Sequence, residues 1–167
     1  MDRRVVVGAI AALALGGAVG FWMMRDPDEA RIRAALARLT SAVRIARGES
    51  PVVRAARIQA TFGDLLVASV GVDIAELPDA RPGRMELVRL ASAVAGAWTS
   101  LDAELSSVRV AIDPGGRSAS VDATVALRGA RGGGEERTDA RAISLRFVDD
   151  GGWKVASVTV YRPREPD

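Results

Sequence analysis

The sequence predicts an α+β fold: a roll of three helices packed on a curved, mostly antiparallel sheet, behind one N-terminal transmembrane helix. Three observations predict it. Apolar residues recur at helical spacing between Asp26 and Trp98, the period shortens to two from Leu101 onward, and an uncharged run from Val5 to Met24 precedes both. Two segments follow, residues 1–25 as a signal anchor and residues 26–167 as one folded domain, which suits a chain of 167 residues.

As a helix, Val5–Met24 would span roughly 30 Å, the thickness of a bilayer's hydrocarbon core. Arg3 and Arg4 precede it, and Phe21 and Trp22 stand where interfacial anchors belong. A cleaved signal peptide is the alternative, with Ala18-Val19-Gly20 as the cleavage site. Cleavage there would leave Phe21-Trp22-Met23-Met24 exposed at a new terminus, which favours a retained anchor. Arg25, Arg31, Arg33 and Arg38 follow the run and by count would keep the domain inside. Long domains translocate largely regardless of such charges, so the expectation is a single-pass cell-membrane protein with an extracytoplasmic, periplasmic domain. Gly8, Ala12, Gly16 and Gly20 share one helix face, on which two copies could meet.

Asp26-Pro27-Asp28-Glu29 is a helix start, with Asp26 as cap, Pro27 in the first turn and Glu29 completing a capping box. Ile32, Leu36, Leu39 and Val43 form its apolar stripe, which ends near Gly48. Arg33, Arg44 and Arg47 flank the stripe as a solvated face. Ser50-Pro51 opens a second helix carrying Ala55, Ile58 and Phe62, with Gly63 as its stop. Two short strands, Leu65–Val70 and Val72–Leu77, should follow, broken at Gly71, and then a loop from Pro78 to Gly83. Arg84 to about Trp98 reads as the third helix, with Leu87, Leu90 and Val94 buried.

Leu101, Ala103 and Leu105 then alternate with polar residues, as do Val108, Val110 and Ile112 before the Pro114-Gly115-Gly116 turn. The strand from Ala119 to Leu127 turns Ser118, Ser120, Asp122 and Thr124 to the other face. Gly129–Glu136 is a hairpin loop; no lysine follows its glycines and no helix comes next, so it is not a phosphate loop. Ile143, Leu145 and Phe147 mark the next strand, Asp149–Gly152 a turn, and Trp153–Tyr161 the last strand. There Val155 and the pair Val158 and Val160 fall on opposite parities, the mark of a bulge.

Composition excludes several functions. Three of the 23 basic residues and one of the 21 acidic residues lie in the first 25 positions, so the domain is neutral and lacks the basic excess of a nucleic-acid binder. Without cysteine or histidine there is no disulfide, no thiolate nucleophile and no imidazole base or ligand. No cofactor or metal is expected.

This element order, the capped first helix and the closing hairpin Leu145-Arg146-Phe147-Val148-Asp149-Asp150-Gly151-Gly152-Trp153-Lys154-Val155 resemble the nuclear transport factor 2-like superfamily, which includes SnoaL-like cyclases and ketosteroid isomerases. The resemblance spans about Asp26 to Arg162 and implies a cone-shaped roll with a cavity between helices and sheet. Enzymes of this superfamily line that cavity with acids, histidines or tyrosines, whereas this chain has no histidine and only Tyr161 as tyrosine. Asp64, Asp73, Asp102 and Asp122 are the acids to consider, Asp64 because some relatives place a functional acid after the second helix. Pocket-lining candidates are Ile58, Phe62, Asp64, Leu90, Trp98 and Val125. Trp98 and Trp153 are expected in the core.

The leading expectation is a non-enzymatic, membrane-anchored interaction or assembly module, a homodimer or partner of another membrane protein. Similar single-span domains occur in inner-membrane scaffolds of type IV secretion systems. Alternatives are a binder of a small apolar ligand in the cone and a SnoaL-like isomerase or cyclase.

Overall fold

The structure, a computed structural model, describes residues 26–74, 83–131 and 134–161. The expected membrane span, Val5–Met24, lies outside them; among the described residues no helix is long and apolar enough to cross a membrane. The first helix, α1 (Pro27–Val43), starts as its sequence dictates, with the Asp28 amide donating to Asp26 Oδ1 at 2.9 Å. Glu29 does not complete the capping box. It accepts from Arg33 Nε at 2.7 Å, a partner one turn away on the same face. The helix also stops at Val43 rather than near Gly48, because Ile45 is drawn out to bridge Leu101 through both backbone bonds, 2.7 and 3.1 Å long.

Helix α2 (Pro51–Leu65) continues through Gly63, the expected stop, because Leu65 is needed in the core and the Leu66 amide closes the helix on the Phe62 carbonyl. The two expected short strands form one, β1 (Leu66–Ile74), with a register irregularity between Leu66 and Gly71. Helix α3 (Arg84–Gly96) ends before Trp98, since the Thr99 amide already bonds Ala130 across the sheet. Four long strands complete the fold: β2 (Ser100–Ile112), β3 (Ser118–Ala130), β4 (Arg137–Asp149) and β5 (Trp153–Val160).

The strands form one sheet in the order β1-β5-β4-β3-β2, antiparallel except where β1 runs parallel to β5. In β4–β5, Val155 pairs with Phe147 and Val158 with Leu145, so Ala156 is the extra residue that keeps both valines on the inner face. A second bulge lies in β2 between Ser106 and Arg109, where Ser107 takes a φ of 53°. It explains why Leu105 and Val110, of opposite parity, both point inward. At the β4–β5 turn Gly151 and Gly152 have φ of 65° and 137°, a path that only glycine follows without strain.

Three helices cover the inner face and leave two clusters of buried residues. The larger joins Ile32, Leu36, Leu65, Leu66, Val121, Leu145, Phe147, Trp153 and Val155 beneath α1; the smaller joins Ile45, Ile58, Ala95 and Leu101 beneath α2 and α3. Trp153 is fixed at both ends of its ring system, apolar against the larger cluster and by Nε1 donating to Asp28 Oδ1 at 3.1 Å. Trp153→Ala should therefore cost roughly 3 to 5 kcal/mol of stability, read by chemical denaturation.

A buried ion network holds the smaller cluster. Arg54, 6% exposed, donates to the carbonyls of Ala95 and Trp98 at the end of α3 and to Glu49 O. Arg57 reaches the Ala42 and Arg44 carbonyls at the end of α1 and grips the Glu49 carboxylate with two donors. Two helix C-termini thereby receive cations, where the dipole favours them. The Arg57 hydrogen bonds hold the Glu49 carboxyl below the ordinary value of 4.5, against the opposing effect of burial. A lowered folded-state value means stability that is present above pH 4.5 and lost as pH falls through the lowered value. Glu49→Gln should lower the melting temperature at neutral pH, and the gap to the parent should shrink on acidification below the carboxylate range.

Candidate functional site

Strand register decides which side chains see the space between sheet and helices. Directly opposed residues of an antiparallel pair share a face, so Leu105, Val125 and Arg141 form one inward row and Ala103, Leu127 and Asp139 the next. Along β4 the inner face thus reads Phe147, Leu145, Ile143, Arg141, Asp139, Arg137, from apolar to charged. Among the described residues Val125 joins neither buried cluster, and both it and Arg141 remain partly accessible. This row is therefore one partly accessible stretch of the inner face, between an apolar interior and a charged rim. Arg141 Nε contacts both carboxylate oxygens of Asp139 at 3.1 Å.

Trp98 closes the rim on the β3 side. A Cβ on Gly129 would stand 2.4 Å from the Ser100 carbonyl oxygen and 2.8 Å from the Trp98 ring, so the indole seats directly against this glycine. The Arg131 guanidinium lies over the same ring, 4.6 Å from its centre. Trp98 Nε1 is buried without a hydrogen-bond partner among the described atoms. Gly129→Ala should cost about 1 to 3 kcal/mol, because one of the clashing atoms is backbone that cannot swing away, and should red-shift Trp98 emission as the ring is pushed toward water.

The residues picked out by sequence do not all meet here. Val125 lies on the inner row, while Phe62 is partly buried and packs against both clusters. Ile58 is 1% exposed within the smaller cluster and is core. Leu90, expected on the buried face of α3, is 41% exposed, since that helix turns Leu87, as expected, and Ala91 inward. Trp98 packs against the smaller cluster, as core placement requires. Asp64 lies on the surface, bonded to Arg38 at 2.5 Å, and Asp102 likewise to Arg44 at 2.7 Å. Asp122 is exposed on the outer face opposite Arg109, and Asp73 is exposed opposite Thr159. Asp139 and Arg141 were missed. The period-two pattern starting at Ile143 extends back to both, but their charge hid their inward parity.

Two open depressions on the surface, about 440 and 310 Å³, have charged rims. Apart from Arg47, their cations Arg44, Arg128, Arg31, Arg38 and Lys154 are each engaged by a neighbouring carboxylate, and such exposed pairs contribute little. No group of three or more acidic residues among the described ones is placed to hold a metal ion.

Three helices on one face of a five-stranded mixed sheet give the described residues a nuclear transport factor 2-like fold. No family model and no curated protein matches the sequence. Solved structures match it in shape. The Kfla4162 protein of Kribbella flavida is 15% identical with a TM-score of 0.66, over 80% of this chain and 88% of that one. A nuclear transport factor 2-like superfamily protein of Salmonella enterica is 12% identical with a TM-score of 0.64, over 81% and 91%. The hexachlorocyclohexane dehydrochlorinase LinA-type3 of Novosphingobium barchaimii is 12% identical with a TM-score of 0.62, over 80% and 84%. At these identities the likeness is one of fold, which enzymes and other proteins share.

Proposed function

We propose that this domain is a non-enzymatic binding module, tethered to a membrane by Val5–Met24, whose cone receives a small apolar ligand. The carrying observation is the contrast between its acids and its inner face. Asp64, Asp73, Asp102 and Asp122 all point to solvent, while the accessible inner positions around Val125 are apolar apart from the rim. Acid–base catalysis needs a proton-transfer group aimed at the bound molecule. The inward acid of the rim, Asp139, has both oxygens on Arg141. Binding, which needs only apolar surface and a few placed polar groups, asks less of this set of residues.

A second reading, assembly with another copy, is favoured by the outer sheet face, where Ala111, Ala126, Ala140 and Ala142 leave the backbone open to close approach. Light scattering of the purified full chain distinguishes a dimer from a monomer, and the two readings are compatible.

The ligand reading is tested with 4-phenylbutyramide, a neutral amide with an apolar body, titrated calorimetrically into the full chain in phosphatidylcholine nanodiscs against empty nanodiscs. The parent should bind it, and Val125→Phe, which fills the inner row, should weaken binding at least about tenfold while keeping the fold. No binding by the parent would refute the reading. For the tether, a reporter fused after Asp167 should register outside the cytoplasm; activity confined to the cytoplasm would refute the extracytoplasmic placement.

A further inference from the structure

We infer that α2 and α3 rest on the bilayer surface through an exposed apolar face, so that the domain lies with its helices toward lipid and its sheet toward water. This rests on the proposed tether Val5–Met24 and adds which surface of the domain the tether holds against the membrane.

Five large apolar side chains are exposed among the described residues, and four of them, Val52, Val53, Met85 and Leu90, stand on these two helices. Val52 and Met85 are 77% and 70% exposed, so neither belongs to the core. From Val52 to Gly63 the exposed residues of α2 are Val52, Val53, Ala56, Gln59, Ala60 and Gly63. None is charged, although the solvent face of a domain helix normally is. The two arginines of that stretch, Arg54 and Arg57, turn away into the network around Glu49. Beside α2, α3 runs antiparallel: Arg84 bonds the Gly63 carbonyl at one end, and Arg54 the Ala95 carbonyl at the other. Met85, Leu90, Ala93 and Gly96 continue the apolar surface there, and the charged pair on this side of α3, Glu86 and Arg89, bond each other.

The place where the apolar run ends points to lipid as what covers this face. Arg25 alone separates Met24 from Asp26, the cap of α1. Two peptide links reach about 7 Å, less than one helix diameter of about 10 Å. The tether therefore meets the helix layer and is too short to pass around it to the outer sheet face. Within that layer α1 is joined to α2 by Arg38 on Asp64 and by the Arg57 bonds to the Ala42 and Arg44 carbonyls. An uncharged helix face suits the boundary between headgroups and acyl chains. Anchoring makes contact with the bilayer intramolecular in effect, so four exposed side chains suffice where a free protein would need more.

The chain has no cysteine, so single cysteines can carry nitroxide labels on the full chain in phosphatidylcholine vesicles. Gln59→Cys and Met85→Cys report the helix face, Ala140→Cys the exposed outer sheet face, and Ala12→Cys the apolar run. Power saturation reads collisions with oxygen, enriched in lipid, and with a nickel chelate, confined to water. The oxygen-to-nickel ratio at Gln59→Cys and Met85→Cys should exceed that at Ala140→Cys at least about fivefold. Adding Val52→Asp with Val53→Asp, acids that suit the first turn of α2, should return the Gln59→Cys label toward the water value without loss of the fold. Labels on the face as water-exposed as Ala140→Cys, with Ala12→Cys in lipid, overturn the inference and leave the tether standing. Water exposure at Ala12→Cys overturns the two together. Shielding of the face from both reagents means that a second copy or another protein covers it, which overturns the inference. A lipid signal that the two aspartates leave unchanged does so too.

Discussion

The constraint on which this structure depends is that one face of a five-stranded sheet has to be kept from water by three helices. Buried apolar area is the main source of stability, and the sheet supplies it only if every strand turns its apolar parity the same way. Two bulges enforce this. Ala156 in β5 and the Ser106–Arg109 irregularity in β2 each absorb one residue, so that Val155 with Val158, and Leu105 with Val110, reach one interior. Without them half of each strand would present its apolar residues to solvent.

Polar interactions refine what burial begins. Trp153 is placed by its apolar ring and oriented by Asp28, which ties the last strand to the first turn of α1. At the far end, Glu49 brings Arg54 and Arg57 onto the exposed carbonyls of α1 and α3, so that helices ending over the smaller cluster do so with their acceptors satisfied. A buried carboxylate with two arginines offsets its desolvation only through such additional hydrogen bonds. Arg57 makes them with Nε and both terminal nitrogens, and Arg54 with its two terminal nitrogens, its Nε having no hydrogen-bond partner among the described atoms. The same cluster seats Trp98 against Gly129 and so shapes the rim.

The proposed ligand site is the row around Val125, which joins neither cluster. Val125 and Arg141 face each other there, the first continuous with the apolar interior and the second with a charged edge. Asp64, Asp73, Asp102 and Asp122 stand outside, the first paired with Arg38 and the third with Arg44 on the surface. The proposed reading, a fold that holds a molecule rather than one that surrounds a reaction, rests on where these carboxylates point.

Much of this was legible in the sequence alone. The element order, the capped start at Asp26, the change of period at Leu101 and the bulge near Val155 are local: they follow from spacing, backbone preference and turn chemistry within a few residues. The neutral domain and its lack of histidine are composition. The rest was set by contacts distant in sequence. Ile45 leaves its helix for Leu101, Glu29 chooses Arg33 over the cap, and Leu65 carries α2 past its glycine into the core. The inward turn of Asp139 and Arg141 belongs with these. A charged residue carries no hydropathy signal for the inner face, and only pairing with Leu127 and Val125 across the sheet determines the side on which it stands.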